Sequence, residues 1–295
     1  MSPRAVFGLP LYNGERHLAE ALDSLLAQTV ADLAVVAVDD GSTDGGLQIA
    51  RRYAEADPRV HLHAGERHGG LVANWRRALD LARSSFPGAE YFAWASDHDV
   101  WHPRWLETLV AILDAHPEAV VAWPRLAKIR PDGSRIREVE RGFETLADSA
   151  ETRLRATIAG IPAGHAVYGL LRAEAAERCS PFARVLVPDR LFLAQMAVQG
   201  EIRQAPEELW LRRYSGAKAA SSSRQRRTLF PSSRSLPSFL PWWLHHSLVF
   251  GFGLLARGRP PIGSLGERLR LTLAYLTASS SVDRQARRRR RARRG

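Results

Sequence analysis

The run Tyr91-Phe92-Ala93-Trp94-Ala95 ends in Ser96-Asp97-His98-Asp99, which puts two carboxylates at i and i+2 directly after a stretch that reads as a buried strand. Paired acids at such a strand end raise the cost of ionising one another unless a cation or hydrogen-bond donors neutralise them. Hard oxygen ligands suit Mg²⁺ or Mn²⁺, which commonly bridge carboxylates to nucleotide phosphates. The bland alternative is that Asp97 or Asp99 caps a helix starting near Pro103. A second set, Val38-Asp39-Asp40-Gly41-Ser42-Thr43-Asp44, also follows an apolar run. Ser42 or Asp44 would explain a helix start there, but neither needs Asp39, whose carboxylate could accept the ring N–H of a nucleobase. Tyr12 is either a rim aromatic or a plate for a base, and Asp189 opens a helix that it could cap.

Positioning these residues requires strands alternating with helices. Ala5 to Leu9 reads as the first strand and Pro10-Leu11-Tyr12-Asn13-Gly14-Glu15 as its exit loop. Leu18, Leu22, Leu25 and Leu26 have helical spacing, and Leu33 to Val38 is apolar throughout, completing a βαβ unit. Val60 to His63, a helix over Leu71 to Arg83, and Tyr91 to Ala95 continue the pattern. The fold class expected is α/β, a mostly parallel sheet with helices on both faces, in which ligands collect at the carboxyl ends of strands. Tyr12, Asp39, Asp40, Asp97 and Asp99 all fall there. Further on, the pattern predicts a helix over Arg104–Ala115, strands at Ala119–Trp123 and Ala166–Leu171, and a helix from Asp189 to Val198.

Composition narrows the class. The 295 residues are 45% hydrophobic and 25% charged, ordinary for a globular chain, and the single Cys179 excludes an internal disulfide framework and a cysteine-rich zinc site. His61, His63 and His68 lack the cysteines and spacing of a zinc finger. Residues 1–215 carry 25 Lys and Arg against 29 Asp and Glu, whereas 216–295 carry 17 against 2. The basicity belongs to the tail, which argues against a nucleic-acid-binding core, and no specific nucleic-acid partner is expected. With no separate signal segment before the first strand, the expected location is the cytoplasm.

Strand, Pro-x-Tyr-Asn-Gly-Glu, a second strand ending Asp-Asp-Gly-Ser-Thr-Asp, and then Asp-x-Asp-x-Trp form an ordered series that resembles the family 2 glycosyltransferases of the GT-A fold. The resemblance is strong over residues 5–105 and looser to about 215. It implies a hexosyl transferase using a nucleoside diphosphate sugar, acting on a saccharide or lipid-linked acceptor in cell-surface glycan synthesis. Pro10, Tyr12, Glu15, Asp39 and Asp40 would form the nucleotide pocket, with Asp39 reading the base. His68-Gly69-Gly70-Leu71 with Asn74 would lie beneath the nucleotide, where the helix start helps position phosphates. Asp99 would be the stronger ligand for Mg²⁺ or Mn²⁺, with Asp97 touching ribose or metal. Asp189 would be the base of an inverting displacement, and Arg213, in Arg212-Arg213-Tyr214, would close on the diphosphate. The implied organisation is a nucleotide-sugar-binding half (1–100), an acceptor-binding half of the same domain (101–215), a flexible linker (216–238), a helical appendix (239–283) and a disordered Arg-rich tail (284–295).

The appendix has two readings. Its run from Phe239 to Ala256 is rich in aromatics, barely reaches spanning length and is flanked by cations, which fits an interfacial helix on an anionic membrane at the inner face of the cell. Alternatively it packs on the catalytic part. Leu265 to Leu276 would add a second amphipathic helix. Two other functions stay in view: a sugar-nucleotide nucleotidyltransferase, whose Gly-rich basic loop is absent from Pro10–Glu15, and a non-catalytic membrane or nucleic-acid binding module built on the basic tail.

Overall fold

The computed structural model describes residues 2–65, 68–136, 142–147, 149–160, 165–179, 185–214 and 240–292. The linker expected at 216–238 lies outside them. The apolar runs form strands where the sequence places them: β1 (Ala5–Leu11), β2 (Leu33–Asp39), β3 (Val60–His63) and β4 (Tyr91–Trp94). These pair in parallel in the order β3-β2-β1-β4, with Ala5 opposite both Leu33 and Tyr91. β2 is buried along its whole length, which is why its sequence is apolar without alternation. Helices α1 (Leu18–Leu26), α2 (Gly46–Ala56) and α3 (Leu71–Ser85) supply the crossovers. Leu18, Ala21, Leu22 and Leu25 of α1 and Ala78 of α3 are buried, each full Leu burial contributing about 1.5–3 kcal/mol.

Past β4 the sheet turns antiparallel. β5 (Val100–Trp101), α4 (Trp105–Ala115), β6 (Ala119–Ile129), β7 (Arg135–Ile136), α5 (Ala150–Gly160), β8 (Leu170–Arg172), α6 (Ala173–Arg178), α7 (Pro188–Ala197) and β9 (Glu201–Arg213) follow in chain order. The sheet continues β4-β8-β6-β9-β5, with β7 on β6. Two sequence expectations change. The strand expected over 166–171 begins as a short 3-10 helix, His165–Tyr168, and is extended only from Leu170; Gly169 lies so close to the Ala122 carbonyl and Trp123 that a Cβ there would collide with them. No strand is expected after the helix from Asp189, yet the thirteen-residue β9 follows it and ends on Arg212 and Arg213.

The chain forms two compact units: residues 1–142, 166–176 and 203–217, which hold the sheet, and residues 143–165, 177–202 and 218–295. The sequence makes 1–100 and 101–215 halves of one domain, whereas residues 143–165 and 177–202 group with the C-terminal helices. In the second unit, α8 (Trp242–Ala256) and α9 (Leu265–Ala292) join α5 and α7. Its core gathers Leu154 and Ile158 from α5, Leu191 and Ala194 from α7, Phe250 and Leu254 from α8, and Leu271, Ala274 and Tyr275 from α9. Packing is therefore what the appendix does with one face. The arginines expected to be disordered continue α9 as far as Ala292, since straight-chain residues have good helix propensity. Cys179 is a buried thiol beside Met196 and Gln199, and burial raises its pKa, as suits a structural cysteine.

Gly70 precedes α3 at φ 88° and ψ 162°, a conformation essentially restricted to glycine, while a Cβ there would meet nothing within 4 Å. Gly70→Ala is therefore expected to cost about 1–3 kcal/mol from backbone conformation alone. Urea unfolding measures this, and an unchanged midpoint would contradict it.

Candidate functional site

At the carboxyl ends of β1 and β2 the backbone is laced by side chains. Asn74, buried in the first turn of α3, donates to the Leu11 carbonyl (3.3 Å) and the Val38 carbonyl (2.9 Å), holding the two strand ends together. Its Oδ1 has no partner among the described residues. Asp39 is fully buried, and its Oδ2 accepts from the N–H groups of Gly41 (3.0 Å) and Ser42 (3.2 Å). Asp40 accepts from Gly69 N (2.8 Å) and Gly70 N (2.9 Å), so a carboxylate already occupies the positive end of α3. His68 Nδ1 lies 2.8 Å from Asp40, and its ring stacks on Tyr12 at 4.0 Å between centroids. Tyr12 is nevertheless 43% exposed.

Pro10 sits in β1 opposite Val38. Glu15 acts locally, its Oε2 accepting from Gly45 N (3.0 Å) while its own N–H donates to Asp44 (2.9 Å). Asn13 repeats the lacing through Thr43 N and Ser42 Oγ. The structure thus brings Pro10, Tyr12, Asp39, Asp40 and Asn74 to adjoining strand ends, with Glu15 fastening the loop beside them.

The two acids of the Asp-His-Asp segment have different environments. Neither caps a helix: α4 begins at Trp105 behind Arg104, with no side-chain cap. Asp99 is 2% exposed; its Oδ1 accepts from Arg213 N (2.8 Å) and its Oδ2 from Trp210 Nε1 (3.2 Å). Burial raises its pKa, against the pull of His98, the Arg213 N–H and Trp210. The Asp97 side chain is 15% exposed, lies 2.6 Å from His98 Nδ1, and packs so close to Gly14 that a Cβ there would come within 2.7 Å of its Oδ2. Burial works against a charged His98, but Asp97 and Asp99 outweigh it and raise the imidazole pKa. Asp97, not Asp99, is the more open carboxylate.

Arg213 requires a correction. The sequence predicts that it closes on a diphosphate, yet it is buried, with Nε donating to the His98 carbonyl (2.8 Å), Nη1 to the carbonyls of Arg130 (3.2 Å) and Pro131 (3.1 Å), and Nη2 to Glu20. Its fork of donors is spent on protein acceptors. It clamps the segment that bears the acids.

In the second unit, Asp189 is partly exposed in the first turn of α7. It does not occupy the cap position, which is Val187, a β-branched residue at φ 55° and ψ 58° and so held in a strained left-handed conformation. Burial raises the Asp189 pKa, opposed by the Arg190 backbone N–H, the Arg190 charge and His165. Leu186, three residues before Asp189, is fixed from the C-terminal helices: its carbonyl accepts from His246 Nε2 (2.5 Å), and His246 Nδ1 is 2.9 Å from the Tyr275 hydroxyl. A carbonyl can only accept, so His246 carries a proton on Nε2; burial disfavours a second proton, and Nδ1 then accepts from the Tyr275 hydroxyl. Arg190 lies over the Trp242 ring, whose Nε1 donates to Asp283 (3.0 Å).

Residues 7–179 match the model of "Glycosyl transferase family 2", more than half of the chain. The chain belongs to that family. A Rickettsia felis protein described as an uncharacterized glycosyltransferase is 35% identical over 106 residues, 36% of this chain but 16% of that protein, so the chain matches only a small part of its relative's length. Among solved structures, S. aureus TarS (1-349) in complex with UDP has a TM-score of 0.56 at 18% identity, covering 96% of this chain and 92% of that one. The mannosyltransferase PcManGT from Pyrobaculum calidifontis, in complex with GDP-Man and Mn²⁺, has a TM-score of 0.53 at 21% identity, covering 95% and 87%. These likenesses establish the GT-A-type α/β fold, and residues 7–179 place the chain in a family of glycosyl transferases.

For this glycosyltransferase the donor set can be tested against a divalent metal. Among the described residues no three His, Cys, Asp or Glu side chains form a ready cage. Mg²⁺ and Mn²⁺ take one or two carboxylates and complete their shell with water and substrate phosphates. Asp97 fits such a role, with Asp99 behind it. The sequence places His68 in the loop beneath the nucleotide, and its ring instead holds Asp40 and stacks on Tyr12. Sequence reasoning missed the parts played by His98, Trp210, His246 and Tyr275, each of which holds one of the acids or its turn; of these only His98 carried a signal, its place between the two carboxylates.

Burial lowers the His246 pKa from 6.5 to about 4, against its bond to Leu186. The folded state keeps the ring neutral while the unfolded chain protonates below 6.5, so stability is complete above that pH and falls as pH drops towards 4. The loss is expected to reach about 3 kcal/mol. Urea titrations across this window should show that slope in the native protein and a flattened one in His246→Gln; equal slopes would remove His246 as the cause.

Proposed function

We propose that this transferase moves a hexosyl group, with inversion, from a nucleoside diphosphate sugar to a saccharide or lipid-linked acceptor in cell-surface glycan synthesis. It would work in the cytoplasm, peripherally on the inner face of the membrane. The observation that carries the donor half is the gathering of Tyr12, Asp39 and Asp40 at adjoining ends of parallel strands, in the sheet that also presents the partly exposed Asp97. Complexes of TarS with UDP and UDP-GlcNAc, and of PcManGT with GDP-Man and Mn²⁺, support the same donor chemistry.

Tyr12 offers a ring to the base, while Asp39, buried and bonded to Gly41 and Ser42, shapes the turn beside it in place of the base contact the sequence predicts. Asp97 would hold Mg²⁺ or Mn²⁺, with Asp99 supporting it from the buried side. Such a cation, when bound, offsets negative charge growing on the departing diphosphate. Asp189 takes the proton of the acceptor hydroxyl as that oxygen bonds to the anomeric carbon and the bond to the diphosphate oxygen breaks. One displacement inverts the centre. A raised Asp189 pKa favours proton uptake from a hydroxyl, and its held turn supplies the positioning.

Thermal shift with UDP-GlcNAc and GDP-mannose, with and without Mn²⁺, tests the donor site. A bound donor at ~100 times its Kd adds about 2.7 kcal/mol. At least one should stabilise the native protein, more strongly with Mn²⁺, and Asp97→Ala should lose the Mn²⁺ increment; no shift with any nucleotide sugar would refute the donor site. With the donor found, Asp189→Asn should bind it normally yet turn over about 10²–10⁴-fold more slowly. Because the deprotonated carboxyl is the working form, native turnover should climb as pH rises through a value above the ordinary carboxyl range. Full turnover in Asp189→Asn would assign the base elsewhere.

A further inference from the structure

The hairpin of α8 and α9 has a covered face and a bare one. The helices run antiparallel, as Trp242 meets Asp283, His246 meets Tyr275, and Gly251 lies against Thr272. On the bare side Leu248, Phe252 and Leu255 recur at i, i+4 and i+7 on α8, and Leu265, Leu269 and Leu273 at i, i+4 and i+8 on α9. All six stand well exposed, whereas exposed large apolar side chains elsewhere among the described residues are scattered singly. The six also cluster along the hairpin, within a few turns of the connection at residues 257–264.

Cations rim this end. Arg257 and Arg259 lie in the connection, Arg268 and Arg270 in the first turns of α9, and Arg257 sits 5.1 Å over the Phe252 ring. The acids of the hairpin are Glu267 and Asp283, and Asp283 is engaged by Trp242 and Arg287. Apolar residues ringed by arginine fit a surface with a hydrocarbon interior and negative headgroups. A second copy of the chain would instead set the same cations against one another. No helix among the described residues is long and apolar enough to cross a membrane, so the contact is a seating on one leaflet.

We infer that the connection end of the α8–α9 hairpin is the membrane-docking element, inserting Leu248, Phe252, Leu255, Leu265, Leu269 and Leu273 into an anionic leaflet under a rim of arginines. This rests on the peripheral placement proposed above and changes which residues make the contact. The tryptophan-rich start of α8 is not the anchor, because Trp242 is tied to Asp283 and Arg190.

Co-sedimentation of the full chain with vesicles tests the seating. Binding is expected to vesicles of phosphatidylcholine with phosphatidylglycerol, to be weak on phosphatidylcholine alone, and to fall as salt screens the rim. Phe252→Asp and Leu269→Asp, one on each helix, should each weaken binding at least about tenfold. Each variant should keep its unfolding temperature and its response to UDP-GlcNAc or GDP-mannose. Undiminished vesicle binding in both variants would overturn the docking face, as would a lipid-free dimer of the native chain that both variants dissolve. Vesicle binding as expected with no response to any nucleotide sugar would leave the docking face standing and count against the donor site alone.

Discussion

The carboxylate of Asp99 is kept from water and held by two donors that arrive from the far end of the same unit. Trp210 and Arg213 lie on β9, more than a hundred residues later, and that strand pairs antiparallel with the short β5 that follows the acid. A buried carboxylate lacking these bonds would carry a desolvation cost of several kcal/mol. With them it fixes where the chain turns after β4. Arg213 extends the hold, since its side chain bonds the carbonyls of His98, Arg130 and Pro131. The openness of Asp97 follows: it can face outward because its neighbour two residues on faces inward and is satisfied there.

A similar division runs through the other loops. Asp40 neutralises the start of α3 and holds His68, Asn74 ties two strand ends, and Glu15 with Asp44 secures the loop after β2. Several polar residues that look like ligands on paper are the frame around a smaller set that faces solvent. Such a frame is what a site needs if groups meeting a substrate are to be in place beforehand.

The strands of the first half were legible because burial on both faces demands uninterrupted apolar runs, as in Leu33–Val38, and the acids were legible because they follow those runs directly. The division of roles among them was not. Whether Asp97 or Asp99 is the open one depends on Trp210 and Arg213, which local spacing cannot connect to them. Arg213 misleads because guanidinium suits phosphate and carbonyl oxygens equally, and only tertiary structure says which it meets. The region after residue 239 admitted both a membrane helix and a packed helix because a strongly apolar helix satisfies either description. The solution divides the faces: Phe250 and Leu254 enter a core, while Leu248 and Phe252 do not.

The bond from His246 to the Leu186 carbonyl bears on how freely this tail can be exchanged. A terminal segment that merely tethers a catalytic body can be traded for another of equal stickiness. Here α8 and α9 also fill a shared core and satisfy a backbone acceptor three residues before Asp189. A graft of a different anchor onto this scaffold would have to bring a donor to that carbonyl and a replacement for Phe250 and Tyr275. The tail is thus a structural part of the unit that carries Asp189 rather than an interchangeable module.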